Sequence, residues 1–245
     1  MSTLTQVIGV GGYVDRLRIP RGTDLVPGPH DSTTNPATAP RRARRPSAKA
    51  QRREQAIYDA AAEIFDRKGY AATSLNDIGE AVGLLKGSLY YYIGSKEDLL
   101  YQITRTIHDG AMANLEAARA AGPDPETQLA ALVVGHITVF EERNTWIRVF
   151  YTEYGHLTGE RRQQTMALRR RYENYVEGLI RAGQDTGVFC AAKDPRVMSN
   201  AILTMVNSVF LWYRPDRDDR LDGVAEAYAE FILGGLRCPA DHDHS

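Results

Sequence analysis

The chain has 245 residues, 43% hydrophobic and 25% charged, with a formal net charge of −1. This composition is that of a globular protein with room for one large or two small domains, and it excludes a wholly disordered chain. No apolar run approaches the roughly 20 residues of a membrane span, and no basic leader precedes a long apolar stretch, so neither a membrane protein nor a secretory signal is expected.

Residues 1–50 read as a disordered basic extension, rich in Gly, Pro, Ser, Thr and Asn. It ends in "PRRARRPSAKAQRR", which is either a solvated tail or an arm that lies along phosphates or in a minor groove. "VIGVGG" follows no long strand and opens no helix, so it is not a nucleotide loop. From Arg52 the pattern turns helical, with Ile57, Ala60, Ala61, Ile64 and Phe65 on one face and Gly69 as the stop. In "TSLNDIGEAVG", Thr73 or Ser74 is the N-cap and Asp77 stands where a capping box needs it. Gly83 then turns the chain into "LLKGSLYYYIG", a second short helix ending near Gly94. Ser95, followed by Glu97 and Asp98, opens a long helix through about Ala120.

The remaining pattern is helical over Pro125–Glu142, Trp146–Tyr154, Gly159–Gln184, Pro195–Tyr213 and Leu221–Leu236, with turn chemistry between the segments. The fold class is therefore all-α, with about nine helices and no strand of useful length. The expected division is 51–98 for a three-helix head, 99–238 for a larger helical domain, and 239–245 for a frayed tail. Cys190 and Cys238, far apart in the chain, read as reduced thiols of a cytoplasmic protein.

A buttressing helix, a short helix, a glycine turn and another short helix outline a helix-turn-helix unit. Charge supports this: residues 41–100 hold 11 basic and 8 acidic side chains, whereas 101–245 hold 16 and 20. Lys86, Gly87 and Ser88 give the second short helix a slim, polar first turn, so that backbone can approach DNA. Tyr90, Tyr91 and Tyr92 sweep about 200° around the axis, which sends one inward and leaves the others for the groove wall. Lys96 is a candidate phosphate contact at the start of the next helix. Arg52, Thr73 and Ser74 complete the candidate DNA contacts.

"TSLNDIGEAVGLLKGSLYYYIGSKEDLL" resembles the DNA-binding segment of the TetR family of bacterial one-component repressors. Thr73, Asp77, Ile78, Ala81, Gly83, Gly87, Tyr90, Lys96 and Leu99 match the family pattern in type and order. Gly79, Leu85, Tyr92 and Ile93 depart from it, and Leu85 removes a small polar group that often touches phosphate. The resemblance covers roughly residues 52–100. It implies a homodimer, a double-stranded operator as partner, and a C-terminal domain that binds a small-molecule effector.

In the C-terminal half, "AILTMVNSVFLWYRP" is apolar nearly all round and "GVAEAYAEFILGGL" is rich in small residues, so these two segments are the expected dimer interface. An effector pocket is expected between the helix from Pro125, "TWIRVFYTEY" and the helix containing Arg169, Arg170 and Arg171. Phe140, Trp146 and Phe150 are possible apolar lining, and Arg148, Tyr151, Met166, Arg170 and Trp212 are the candidate ligand residues. Three consecutive arginines cannot share one helix face, so one of them is expected to turn inward. "FLWYRP", "YTEYGHL" and the RRR-Y stretch resemble a TetR branch that responds to acyl-coenzyme A thioesters in fatty-acid and steroid catabolism. No bound cofactor is implied beyond that effector. An enzyme is disfavoured, because His108, His136 and His156 fall on separate segments at no ligand spacing. The open alternatives are a TetR-type regulator of a hydrophobic drug-like or aromatic ligand, and a helical interaction protein that binds nucleic acid nonspecifically.

Overall fold

The computed structural model describes residues 47–214 and 221–238. The expected disordered extension up to residue 46 and the expected frayed tail 239–245 lie outside these residues. The described residues form nine α-helices and no strand: α1 Ala48–Lys68, α2 Leu75–Ala81, α3 Lys86–Leu89, α4 Lys96–Ala121, α5 Pro125–Glu153, α6 Gly159–Asp185, α7 Pro195–Asn207, α8 Val209–Trp212 and α9 Leu221–Leu236. A 3₁₀ turn, Tyr154–His156, joins α5 to the loop before α6.

Helix α1 begins at Ala48, inside the segment expected to be disordered, because the Ser47 hydroxyl accepts from the Ala50 N–H at 3.3 Å and caps it. Two hydrophobic clusters organise the chain. The first joins Ile57, Ala61 and Phe65 of α1 to Ile78, Leu89, Ile93 and the first turns of α4. The second gathers Leu129 to Val134 and Ile137 of α5 with α6, α7 and α9. Burying six consecutive α5 positions all round makes that helix the axis of the larger domain.

Three expectations are corrected. The break at "ERN" is a bend, not a loop: α5 runs on through Arg143, whose φ of −135° and ψ of 27° kink it. The segment Pro195–Tyr213 is two helices, divided at Ser208. Cys190 and Cys238 are not separate thiols. Their Cα atoms lie 4.6 Å apart and their sulfurs are paired as a disulfide. The Cys190 N–H donates to the Leu236 carbonyl at 2.8 Å, which draws the end of α9 against the loop after α6. A separation of 48 residues carried no signal of that juxtaposition.

Candidate nucleic-acid interface and effector cavity

The head is built from capped, tightly turned short helices. Ser74 caps α2 by accepting from the Asp77 N–H, and the Asp77 carboxylate accepts from the Ser74 N–H at 2.6 Å, closing a capping box. That backbone hydrogen bond, with help from Lys68 at 3.0 Å, pulls the Asp77 carboxyl down to about 2. Gly83 turns the chain at φ +65°, a conformation that favours glycine. A Cβ at Gly79 would stand 2.7 Å from the Leu84 carbonyl oxygen, so the departure from alanine at 79 belongs to the close crossing of this turn. Arg53 ties α1 to the turn through the Val82 carbonyl at 2.8 Å.

Past the turn, Leu89 is fully buried, while Leu85, Lys86, Gly87, Ser88, Tyr90 and Tyr91 are exposed. Tyr91 is 85% and Tyr90 49% exposed, so two of the three tyrosines face outward. Tyr92 is half-buried against the head core and meets the Tyr91 ring edge-on at 5.3 Å. Nothing lies within 4 Å of a Cβ placed on Gly87. The protein itself does not require glycine there; a surface brought close to the α3 backbone would. Arg52 and Ser74 are also exposed.

Two candidate DNA residues have other work. Thr73 is buried at 3% exposure, and its hydroxyl donates to the Gly69 carbonyl at 2.8 Å. The Lys96 ammonium donates to the carbonyls of Tyr70 and Thr73 at 2.7 Å each and Ala71 at 3.4 Å, and lies 4.4 Å from the Tyr70 ring centroid. An ammonium has three donors. All three go to the loop between α1 and α2, so in this structure Lys96 staples that loop.

The larger domain encloses a cavity of about 240 Å³ between α4, α5, α6 and α7. Of the candidate ligand residues only Tyr151 lines it, joined by Phe140 and Phe150 from the expected apolar set. Arg148 instead reaches the head, donating to Asp66 at 3.0 Å and to the Phe210 carbonyl at 3.3 Å. Met166 is outside the lining, and Arg170 is exposed. Trp212 is 44% exposed and stacks on Tyr228, and Trp146 belongs to the head core. The kink at Arg143 sets the phase of Trp146 and Arg148, whereas the places of Met166, Arg170 and Trp212 follow from how their own helices pack. The arginine that turns toward the cavity is Arg169.

Sequence reasoning missed the polar lining. Asn114 donates to the Tyr172 hydroxyl at 3.1 Å, Tyr172 meets His136 Nδ1 at 3.1 Å, and His136 Nε2 lies 2.9 Å from Asn207 Oδ1, which also accepts from the Tyr151 hydroxyl. An amide oxygen only accepts, so Nε2 carries the proton and Nδ1 accepts from Tyr172. Burial lowers His136 to about 4, which keeps the ring neutral, and burial raises the Tyr151 phenol. His108 is 4% exposed, meets the Phe150 ring edge-on at 4.9 Å, and is lowered to about 4 by burial and by Arg169. The histidines rejected as a catalytic group thus include two that share a cavity wall. No cluster of metal-ligating side chains occurs among the described residues, and no described helix is long and apolar enough to cross a membrane.

A capped helix-turn-helix head with an exposed basic and aromatic tip, joined by long helices to a domain with an internal cavity, defines a DNA-binding regulator of the one-component kind. The chain belongs to the TetR family: residues 57–103 match the bacterial regulatory proteins of the tetR family, and residues 122–236 match the tetracyclin repressor-like C-terminal domain. It is 37% identical to the TetR family regulator PfmR of Thermus thermophilus, covering 74% of this chain and 99% of that structure with a TM-score of 0.67. It is 29% identical over 194 residues to the transcriptional repressor KstR2 of Rhodococcus jostii, covering 79% of this chain and 95% of the relative. The crystal structure of AibR in complex with isovaleryl coenzyme A and operator DNA is 26% identical, with a TM-score of 0.65 over 76% of this chain and 99% of that one.

Proposed function

We propose that this chain is a dimeric transcriptional repressor acting in the cytoplasm, where its paired α3 tips bind a two-fold symmetric operator and an acyl-coenzyme A thioester releases them. The observation that carries the DNA reading is the exposed tip Lys86–Tyr91 around Gly87, a glycine that nothing in the fold demands. Slim backbone, a cation and two phenols suit entry to a major groove, where phosphate contacts position and base-edge contacts specify. A dimer is supported by apolar side chains left facing solvent on α8 and α9: Leu211 is 62%, Trp212 44% and Phe231 71% exposed. Pairing through that face doubles the base pairs read.

The thioester reading is supported by the AibR complex and by the cavity, which has apolar walls and two guanidinium groups, those of Arg143 and Arg169, in its lining. The acyl group enters the cavity and the coenzyme stays outside. Its size favours a second reading as well: a compact aromatic molecule without the coenzyme fills the same space.

Fluorescence anisotropy on the intergenic DNA beside the gene, with a scrambled duplex as control, tests the function. Preference for the native duplex, a two-to-one stoichiometry, and release by thioesters but not by free coenzyme A are expected. Equal affinity for both duplexes returns the protein to nonspecific binding. Release by uncoupled aromatics alone favours the second reading.

A further inference from the structure

Resting on the reading of the cavity as the effector site, we propose that it selects a ligand whose buried end carries a hydrogen-bonding oxygen, a hydroxyl or ketone held by His108 Nε2, over the corresponding hydrocarbon. Among the described residues, three buried side-chain polar atoms have no hydrogen-bond partner: Thr104 Oγ1, His108 Nε2 and Asn144 Oδ1. Only His108 belongs to the cavity wall. Native interiors rarely leave such an atom unpaired, and a functional group awaiting its partner is one of the standing reasons.

The other polar groups deep in this wall are engaged with one another. Asn207 Oδ1 takes both Tyr151 and His136, and the other His136 nitrogen is met by Tyr172. His108 is therefore where the cavity has hydrogen-bonding capacity to spare, set among Ile107, Val139, Phe140 and Phe150.

Size and charge narrow the ligand class. A cavity of about 150 Å³ accepts benzene, so about 240 Å³ takes roughly ten non-hydrogen atoms. That volume suits a medium acyl chain or a substituted ring and not a whole nucleotide thioester. A neutral imidazole offers no cation to a carboxylate, and the nearest guanidinium, Arg169, faces Glu173 at 3.7 Å and the Tyr154 ring at 4.9 Å. The buried end is thus an uncharged oxygen. Exposed Asn200 and Thr204 mark the mouth through which the rest of the ligand leaves.

The test compares matched probes by calorimetry and thermal shift. Phenylpropanoyl-CoA is set against its para-hydroxy counterpart, heptanoyl-CoA against its methyl-ketone counterpart, and propylbenzene against para-propylphenol. In at least one pair the oxygen-bearing member is expected to bind roughly three- to tenfold more tightly. His108→Phe should bring the affinity ratio within each pair to about one, and His108→Gln should keep part of the preference; melting curves of both variants establish that they fold. Equal affinity within all three pairs, or a preference that survives in a folded His108→Phe, overturns the proposal. If no thioester binds but para-propylphenol still outbinds propylbenzene through His108, the coenzyme reading fails and the oxygen selectivity stands.

Discussion

Replacing Lys96 by methionine separates two roles that one lysine cannot fill at once. In the structure its ammonium donates to the Tyr70, Ala71 and Thr73 carbonyls and sits over the Tyr70 ring. Methionine keeps most of the apolar stem and removes every one of those interactions. A hydrogen bond from a charged donor contributes about 1.5–3 kcal/mol, and a cation over an aromatic face about 0.5–1 kcal/mol. The site is only half-buried, so water replaces part of what is removed, and a total of about 3 kcal/mol is the reasonable expectation. For a chain of this size that lowers Tm by about 6–12 °C. Circular dichroism melts give the stability. Operator affinity measured over a range of salt gives the phosphate count, because removing one phosphate-bound cation makes the slope of log K against log salt shallower by about 0.9. The staple predicts a lower Tm with an unchanged slope in the population still folded at low temperature. An unchanged Tm with a shallower slope would refute it and return Lys96 to the DNA.

The other predictions follow the same separation of fold from function. Gly79→Val should cost about 1–3 kcal/mol by driving a side chain into the Leu84 carbonyl, and a melting curve identical to the parent would contradict the geometry of the turn. Tyr91→Ala should weaken operator binding by about tenfold, roughly 1.4 kcal/mol, while leaving Tm in place, since that ring is 85% exposed; unchanged affinity removes it from the interface. The histidines set a pH dependence. His108 and His136 are lowered to about 4 in the folded chain against about 6.5 unfolded. The unfolded state then binds more protons between those values, so stability is full above about pH 6.5 and falls as pH drops toward 4. Between pH 7.5 and 5 the loss is about 2 kcal/mol per histidine. His136→Gln should shed its share of that slope, and denaturant titrations giving the same slope for parent and variant would show that this ring does not titrate as described.

The head was largely legible in the sequence because its determinants are local. Ser74 and Asp77 stand three apart, Gly83 sits where the chain must turn, and Leu89 falls in phase with the core; each is decided within one or two helical turns. The partners of Lys96 and Thr73 were not legible, for the opposite reason. These partners, the carbonyls of residues 69–73, belong to a loop whose path only the packed head defines. The cavity was less legible still. A helix with polar residues at several phases looks solvated, and nothing in the spacing of Asn114, His136, Tyr172 and Asn207 along the chain announces that one hydrogen-bonded string joins them. Arg169 illustrates the limit: three adjacent arginines required that one turn inward, but which one depends on how α6 packs, a tertiary fact.

Coupling between cavity and head has two physical routes. One is α4, whose early turns hold Leu99, Leu100 and Ile103 in the head core and whose later turns carry Ile107, His108 and Ala111 to the cavity. Its length makes it the natural element to tilt the heads away from the 34–36 Å spacing of successive major grooves. The bend in α5 supplies the other. Beyond Arg143, one face of the helix presents Ile147, Phe150 and Tyr151 to the cavity. The adjoining face places Trp146 and Val149 in the head core, with Trp146 Nε1 donating to Asp59 at 3.1 Å and Arg148 to Asp66 at 3.0 Å. A close-packed segment cannot absorb a displacement on one side without passing it to the other. Allosteric coupling is typically about 1–3 kcal/mol, the size of one or two such hydrogen bonds. Thus a ligand need only favour a position of this short segment in which the hydrogen bond to Asp59 or Asp66 is broken. The head then loses one of the hydrogen bonds that tie it to α5, while Trp146 and Val149 keep their packing in the head core, and the separation of the two tips is fixed less firmly from that side.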